Sequence, residues 1–355
     1  MIKQLTRNKE RALRAGFKEA PTIKGYTWGK VQVEEVLKHN REFEEGKQRL
    51  PKLLAMFLDV PPSCDLACWF CYASKIVLRE GEKPIQGMTV EEYLSCVASA
   101  KLFGAETISV AGRGEPFLYP DLLMPLAREV TKKGMWLVVF TNNMNITPEL
   151  AKELYGLNVS VIAKLGSLDP DTQDRIVGRK GAHQAIYAGL DNLLGAGFTG
   201  PRLGIDATIY QDTVQDLIDV FRYCRTQKIV PYFEALIERG DARRNQSLLN
   251  RKKLTNRELV EFFERVRKID EEEFGYTWVI TPGMHSLAYE DCKKNRTTLS
   301  IRENGEVGTC VNDRDTRLGN IHETSLEEIV MGSELLKRIR SFGAGCCSSV
   351  CGVSR

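Results

Sequence analysis

Nowhere do the 355 residues contain an apolar run long enough to cross a membrane; the longest, LLAMFLDV and MWLVVF, are of strand length. The opening stretch MIKQLTRNKERALRAGF is charged throughout and lacks the apolar core of a secretory signal. Net charge is scarce too. Fifty Lys and Arg face 47 Asp and Glu, and the resulting +3 argues for neither a nucleic-acid nor a membrane partner. Internal repeats and low-complexity segments are missing as well. What remains, 43% hydrophobic and 27% charged residues, is the composition of a soluble enzyme, and the expected location is cytoplasmic. The length suits one large domain with a smaller appendage, or two ordinary domains.

Ten cysteines stand against these absences, without the export signal that a disulfide framework would accompany. Three fall at 64–71 and five between 292 and 351, while Cys96 and Cys224 are isolated in helical patterns. The two groups suggest two metal sites. The isolated thiols read as packed side chains, a reading preferred for Cys224 over that of hydrogen-atom donor.

From residue 53 the chain alternates strand-like and helix-like stretches. The strand patterns are LLAMFLDV, TISVAG, WLVVFTNN, VSVIAKL, RLGIDATIY and IVPYFEALIE. Thr89 with Glu92 predicts a capping box for a helix running to Gly104, a second helix spans about 121–134, and Thr147–Pro148 opens a third. Near-continuous apolar strands separated by helices predict a parallel sheet with helices outside. The expected fold is α/β, a partial (β/α)6 TIM-like barrel over residues 51–250, with its chemistry in loops after the strand C-termini. Residues 1–50 are expected to form a helical extension packed on the barrel. Residues 251–355 should form a small C-terminal domain of β-hairpin and helix. Residues 239–253 read as a basic linker, and Thr255 with Glu258 opens a helix beyond it.

The cysteine loop PPSCDLACWFCYA follows the first strand. A closed structural zinc site takes four protein ligands. Three thiolates without a nearby His leave one position of a four-iron, four-sulfur cluster open to a small chelator. This pattern resembles the radical S-adenosylmethionine superfamily, whose signature C-x3-C-x-aromatic-C is met by Cys64, Cys68, Phe70 and Cys71. After the second strand, Gly112, Gly114, Glu115 and Pro116 match that family's GxGEP segment. After the third, FTNN resembles its TNG segment through Thr141 and Asn142, with Asn143 in place of Gly.

The resemblance covers roughly residues 53–240. It implies that the open iron chelates the amino and carboxylate groups of S-adenosylmethionine. One-electron cleavage then releases a 5′-deoxyadenosyl radical that abstracts hydrogen from the substrate. It further implies an electron donor of the flavodoxin or ferredoxin kind. The fourth strand, VSVIAKLGSLDP, allows two registers for a cofactor contact, through Lys164 or through Ser167. Arg175 and Arg179 follow without an assigned place.

Cys292 and Cys310 flank Gly305 with twelve residues before it and four after, and Asn304–Gly305 predicts a type I′ hairpin. The tail adds Cys346, Cys347 and Cys351. This spacing, with LGNIHETSLEEI at 318–329, resembles the SPASM domain or its shortened twitch form. The resemblance implies one auxiliary 4Fe–4S cluster held by Cys292, Cys310, Cys351 and either Cys346 or Cys347, of which Cys347 is preferred. Structural zinc is the competing reading.

The expected activity is oxidoreductase-type or isomerase-type radical chemistry on a small molecule, a carbohydrate, aminocyclitol or nucleoside-like metabolite. Its outcome would be dehydrogenation, epimerisation or dehydration. A peptide-modifying enzyme forming a crosslink, thioether or epimer is the alternative, and a non-enzymatic iron–sulfur or zinc scaffold is a third. Asp206, Glu234, Glu238 and Arg239 are candidate substrate contacts, each with a surface salt bridge as its competing reading. The acid, base or hydrogen donor of catalysis is unassigned.

Overall fold

The computed structural model describes residues 12–26, 30–78, 81–84, 86–278 and 293–341. One sheet of nine strands organises them. In chain order these are β1 (Ala55–Leu58), β2 (Thr107–Val110), β3 (Trp136–Thr141), β4 (Val159–Lys164), β5 (Gly200–Ile209), β6 (Ile229–Ala235), β7 (Thr298–Ile301), β8 (Glu306–Gly308) and β9 (Gly319–Asn320). In space they run β9-β8-β7-β1-β2-β3-β4-β5-β6. Every neighbouring pair from β7 to β6 is parallel, so the six strands expected of the barrel are there in sequence order.

Helices cover the outside. They are α1 (Lys30–Glu44), α2 (Val90–Leu102), α3 (Pro120–Lys132), α4 (Pro148–Tyr155), α5 (Pro170–Val177), α6 (Ala182–Gly195), α7 (Asp216–Thr226), α8 (Gly240–Arg244), α9 (Gln246–Lys252), α10 (Asn256–Ile269), α11 (Leu326–Gly332) and α12 (Glu334–Ser341). Covered on both faces, β1 and β2 are buried at every residue, which is why their sequences are continuously apolar rather than alternating. Capping boxes at Thr89 and Thr255 start α2 and α10, each cap worth about 1 kcal/mol. Among the described residues no helix is long and apolar enough to cross a membrane.

Three features depart from the sequence expectation. The hairpin about Asn304–Gly305 forms, but Gly305 alone has positive φ (80°), and Gly305 N–H bonds to Arg302 C=O while Arg302 N–H bonds to Glu306 C=O. This is a type I turn closed by a left-handed glycine, a three-residue loop in place of the two-residue I′ turn. The stretch 239–253 is no linker: it folds into α8 and α9, because Asp241 N–H reaches Cys71 C=O and Leu249 is buried.

The N-terminal segment also does more than lean on the barrel. Lys18–Glu19 pairs with Tyr276–Thr277, and the chain then enters the bottom of the barrel. Thr107 and Ser160, near the starts of β2 and β4, donate to the carbonyls of Gly25 and Lys24. Ile23 packs on Val138, Ile162 and Val230. Tyr26 lies edge-on to Phe57, Phe140 and Tyr232, at ring separations of 6.3, 5.2 and 5.6 Å. Residues 18–26 thus form the floor on which the interior is built.

The C-terminal hairpin joins the same sheet. β7 pairs with β1 in register from Thr298–Ala55 to Ile301–Leu58. β8 runs back antiparallel to β7, so the loop after it, which begins at Cys310, starts level with the first residues of β1 and reaches the C-terminal ends of the barrel strands through Arg314, which bonds to Asp59.

Candidate functional site

At those strand ends lies one cavity, walled by Cys64, Cys68 and Cys71 and by the loops after β2 and β3. Lys164, Asp206 and Glu234 line it from β4, β5 and β6, and Val311 and Asn312 from the loop after β8. Tyr26 reaches it from below.

The cysteine loop is pinned at both ends. Ala67 N–H bonds to Val177 C=O, and Asp241 N–H to Cys71 C=O at 2.7 Å. Lys75, almost wholly buried, donates at 2.8 Å to the carbonyl of Cys68 and at 2.9 Å to Asp241. Asp65, inside the motif, accepts from the amides of Asn142 and Asn145. Arg179 donates to the Asp65 carbonyl and so acquires a place, whereas Arg175 bonds only to Thr172 of its own helix.

All three thiols are free. Burial pushes the Cys68 thiol up to about 11, with Lys164 pulling against it, and burial raises Cys64 further. Ligation requires thiolates, which a bound cation would favour and this environment alone does not. Among the described residues no three Cys, His, Asp or Glu side chains converge on one point as metal ligands. The fit to an iron–sulfur cluster is therefore one of donor chemistry and placement, three cysteines of one loop on one cavity wall.

Glu115 is the buried acceptor of the site. Thr141 Oγ1 donates to it at 2.6 Å, Asn142 N–H at 2.8 Å and Phe117 N–H at 3.1 Å. Burial raises its carboxyl to about 7, against the pull of these bonds. Gly112 and Gly114 are needed for close packing: a Cβ on Gly112 would lie 1.7 Å from Asp59 Oδ1, and one on Gly114 2.0 Å from Pro61 C=O. Pro116 starts a single helical turn capped by the Glu115 side chain. Asn143 stands at φ 71°, in the left-handed region where asparagine is the best substitute for glycine, so its replacement of Gly keeps the turn.

Lys164 and Ser167 part company. Lys164 is the register partner of Asp206, bonds to it at 2.8 Å, and faces the cavity with Phe70 beneath it. Ser167 is fully buried behind the wall, donating to Asp216 at 2.6 Å and accepting from Asp169 N–H. Of the candidate substrate contacts, Asp206 and Glu234 line the cavity, and Glu234 accepts from Tyr232 Oη at 2.7 Å. Glu238 turns outward and pairs with Lys253. Arg239 bonds to Asp315 at 2.9 Å, bracing the barrel rim against the C-terminal loop. Cys224 is fully buried in α7.

Cys310 is buried beside the cavity loop it begins. Cys292, Cys346, Cys347 and Cys351 lie outside the described residues. Sequence reasoning missed Tyr26, Tyr72, Lys75 and Arg113. Tyr72 and Arg113 are embedded in recognised motifs and could have been marked by that, while nothing local marks Tyr26.

Comparison with known proteins agrees with the fold. The Radical SAM superfamily matches residues 59–224, and the SPASM iron–sulfur cluster-binding domain matches 292–352. Fe-coproporphyrin III synthase of Methanosarcina barkeri is 30% identical over 261 residues, 69% of this chain and 61% of its own length, so less than two thirds of that relative is spanned. AdoMet-dependent heme synthase of the same organism is 22% identical over 82% of this chain and 85% of its own. Among solved structures, Streptococcus suis SuiB bound to precursor peptide SuiA shares the fold, with a TM-score of 0.64 and 18% identity over 96% of this chain and 79% of SuiB. The radical SAM domain implies a 4Fe–4S cluster and S-adenosylmethionine, and the SPASM domain implies auxiliary iron–sulfur clusters. The chain carries a radical SAM domain over residues 59–224 and a SPASM cluster-binding domain over residues 292–352.

Proposed function

We propose that the cavity receives S-adenosylmethionine on its cysteine side and a small organic molecule on the side of Asp206 and Glu234, and that the reaction begins with hydrogen abstraction from that molecule. The observation that carries this reading is the lining of the cavity: Asp206 and Glu234 face the same space as the three cysteines, with Tyr26 below them, an arrangement of acceptors suited to the hydroxyl and amino groups of a small polar molecule.

Cys64, Cys68 and Cys71 would hold the radical-site cluster. Together with the cofactor it supplies one-electron reduction and a carbon-centred hydrogen acceptor. The chain's own residues bind and orient. Glu115, fixed by Thr141 and Asn142, offers a buried acceptor to an ammonium, as Gly112, Gly114 and Pro116 shape the backbone around it. Lys164 offers a cation to a carboxylate, with Asp206 keeping it charged and aimed. Cys292, Cys310, Cys347 and Cys351 are the proposed ligands of a single auxiliary 4Fe–4S cluster. Held there, it would supply one-electron redox chemistry, which a net dehydrogenation requires and an epimerisation or dehydration does not.

Identity of 30% to a relative named for the synthesis of Fe-coproporphyrin III adds tetrapyrrole precursors of an iron porphyrin to the sugars, aminocyclitols and nucleosides worth assaying. Reduced, reconstituted protein should release 5′-deoxyadenosine faster when its own substrate is present. Acceleration by one of these small molecules is the expected result, and acceleration by peptides alone would replace this reading with peptide modification.

A further inference from the structure

Four charged side chains join the Gly112–Glu115 loop to the C-terminal hairpin. Asp59, just beyond β1, is buried and accepts a hydrogen bond from Arg314 Nη2 at 2.6 Å. Arg314 also stands 3.5 Å from Glu303, in the turn between β7 and β8. Glu303 accepts at 2.6 Å from Nη1 of Arg113, a member of the loop itself. Arg113 Nε in turn donates at 3.0 Å to the carbonyl of Ser74, shortly after Cys71. Side-chain exposure runs from 3% at Asp59 to 27% at Arg113, so these pairs are shielded from water to a degree that surface pairs are not.

Asp59 is where this network meets the backbone. Its carboxylate fills the space that a side chain at position 112 would occupy, and Arg113 N–H also bonds to it. Gly112 and Arg113 are therefore seated on Asp59, and Arg314 holds Asp59 from the opposite side. Arg314 belongs to the same loop as Val311 and Asn312, which line the cavity. Removing one partner of a shielded pair leaves the other charge uncompensated, and it moves to find water or a new partner.

We infer that Asp59 and Arg314 are positioning residues for S-adenosylmethionine: their salt bridge sets where the Gly112–Glu115 loop stands, and with it where the cofactor's amino group is received. This rests on the reading of that loop as cofactor-binding. It makes the C-terminal hairpin part of the cofactor site without touching the cofactor. Reciprocity then requires that cofactor binding strengthen the docking of the hairpin.

The test uses the full chain, loaded with iron and sulfide and reduced, and follows its electron paramagnetic resonance signal as S-adenosylmethionine is added. The wild-type signal should change to saturation; a signal indifferent to the cofactor ends the cofactor reading of the loop and this inference with it. Arg314→Gln should keep its iron and reach the same saturated signal, but at a cofactor concentration about tenfold higher. Arg314→Lys should recover part of that loss, which a general loosening of the fold would not predict. Should Arg314→Gln lose iron, the nearly isosteric Asp59→Asn takes its place with the same expectation. Half-saturation indistinguishable from wild type, in whichever of the two variants holds iron, overturns the positioning role.

Discussion

Thr141 Oγ1 lies 2.6 Å from Glu115 Oε1, so the loops after β2 and β3 are joined through one buried carboxylate. That carboxylate titrates at about 7, well above the ordinary 4.5, because burial disfavours its charge more than its hydrogen bonds favour it. An ammonium prefers the ionised form, so affinity for S-adenosylmethionine should rise with pH between about 6 and about 8. The linkage to folding has the opposite sign. The folded state binds the proton more tightly than the unfolded chain, so stability without cofactor should fall as pH rises from 4.5 to about 7. Titrations and urea melts across this range measure both slopes, and Glu115→Gln should abolish both.

Lys164 and Asp206 form a part-buried ion pair in the wall of the cavity. Lys164→Met takes the ammonium away from the aspartate and should cost about 1–3 kcal/mol in urea unfolding. The double variant Lys164→Met with Asp206→Leu should recover most of that loss, since neither charge is then left alone. Equal losses in the single and double variants would show that the pair contributes packing and no electrostatic coupling.

Tyr26 anchors the N-terminal segment in the floor. Tyr26→Ala removes a ring packed against three others and should destabilise the protein by about 2–4 kcal/mol, whereas Tyr26→Phe should stay within about 1 kcal/mol of wild type. Urea melts distinguish the two. A Tyr26→Ala variant as stable as wild type would mean that residues 18–26 rest on the barrel without supporting it.

The sequence was most legible where chemistry and local geometry coincide. Three cysteines at fixed spacing are legible as a group because a short loop brings them to one wall, and buried parallel strands announce themselves as unbroken apolar runs. Capping boxes at Thr89 and Thr255 are local hydrogen-bond patterns, so they survive folding unchanged. What stayed hidden depends on distant partners. β7 joins the barrel sheet beside β1, and Tyr26 enters the floor, through contacts that no local pattern encodes. Ser167 stands behind the wall because Asp216 holds it there, and Lys164 is the one of the two that lines the cavity. Glu238 faces outward because Lys253 pairs with it there.

Cys310 begins the loop whose Val311 and Asn312 line the cavity, which predicts a divided phenotype for its loss. Wild-type protein reconstituted without oxygen should hold about eight irons, and Cys310→Ala about four. The variant should still cleave S-adenosylmethionine, with product falling much further than 5′-deoxyadenosine. An unchanged ratio in a folded variant would exclude a direct role for the auxiliary site in turnover.

The central claim is that Cys64, Cys68 and Cys71 hold a cluster that opens S-adenosylmethionine. Its most direct measurement is 5′-deoxyadenosine released by reduced, iron-loaded protein, compared with Cys64→Ala, Cys68→Ala and Cys71→Ala variants whose folding is checked by circular dichroism. The expected result is steady release by the wild type and none by any of the three folded variants. Undiminished release from even one of them would contradict the account.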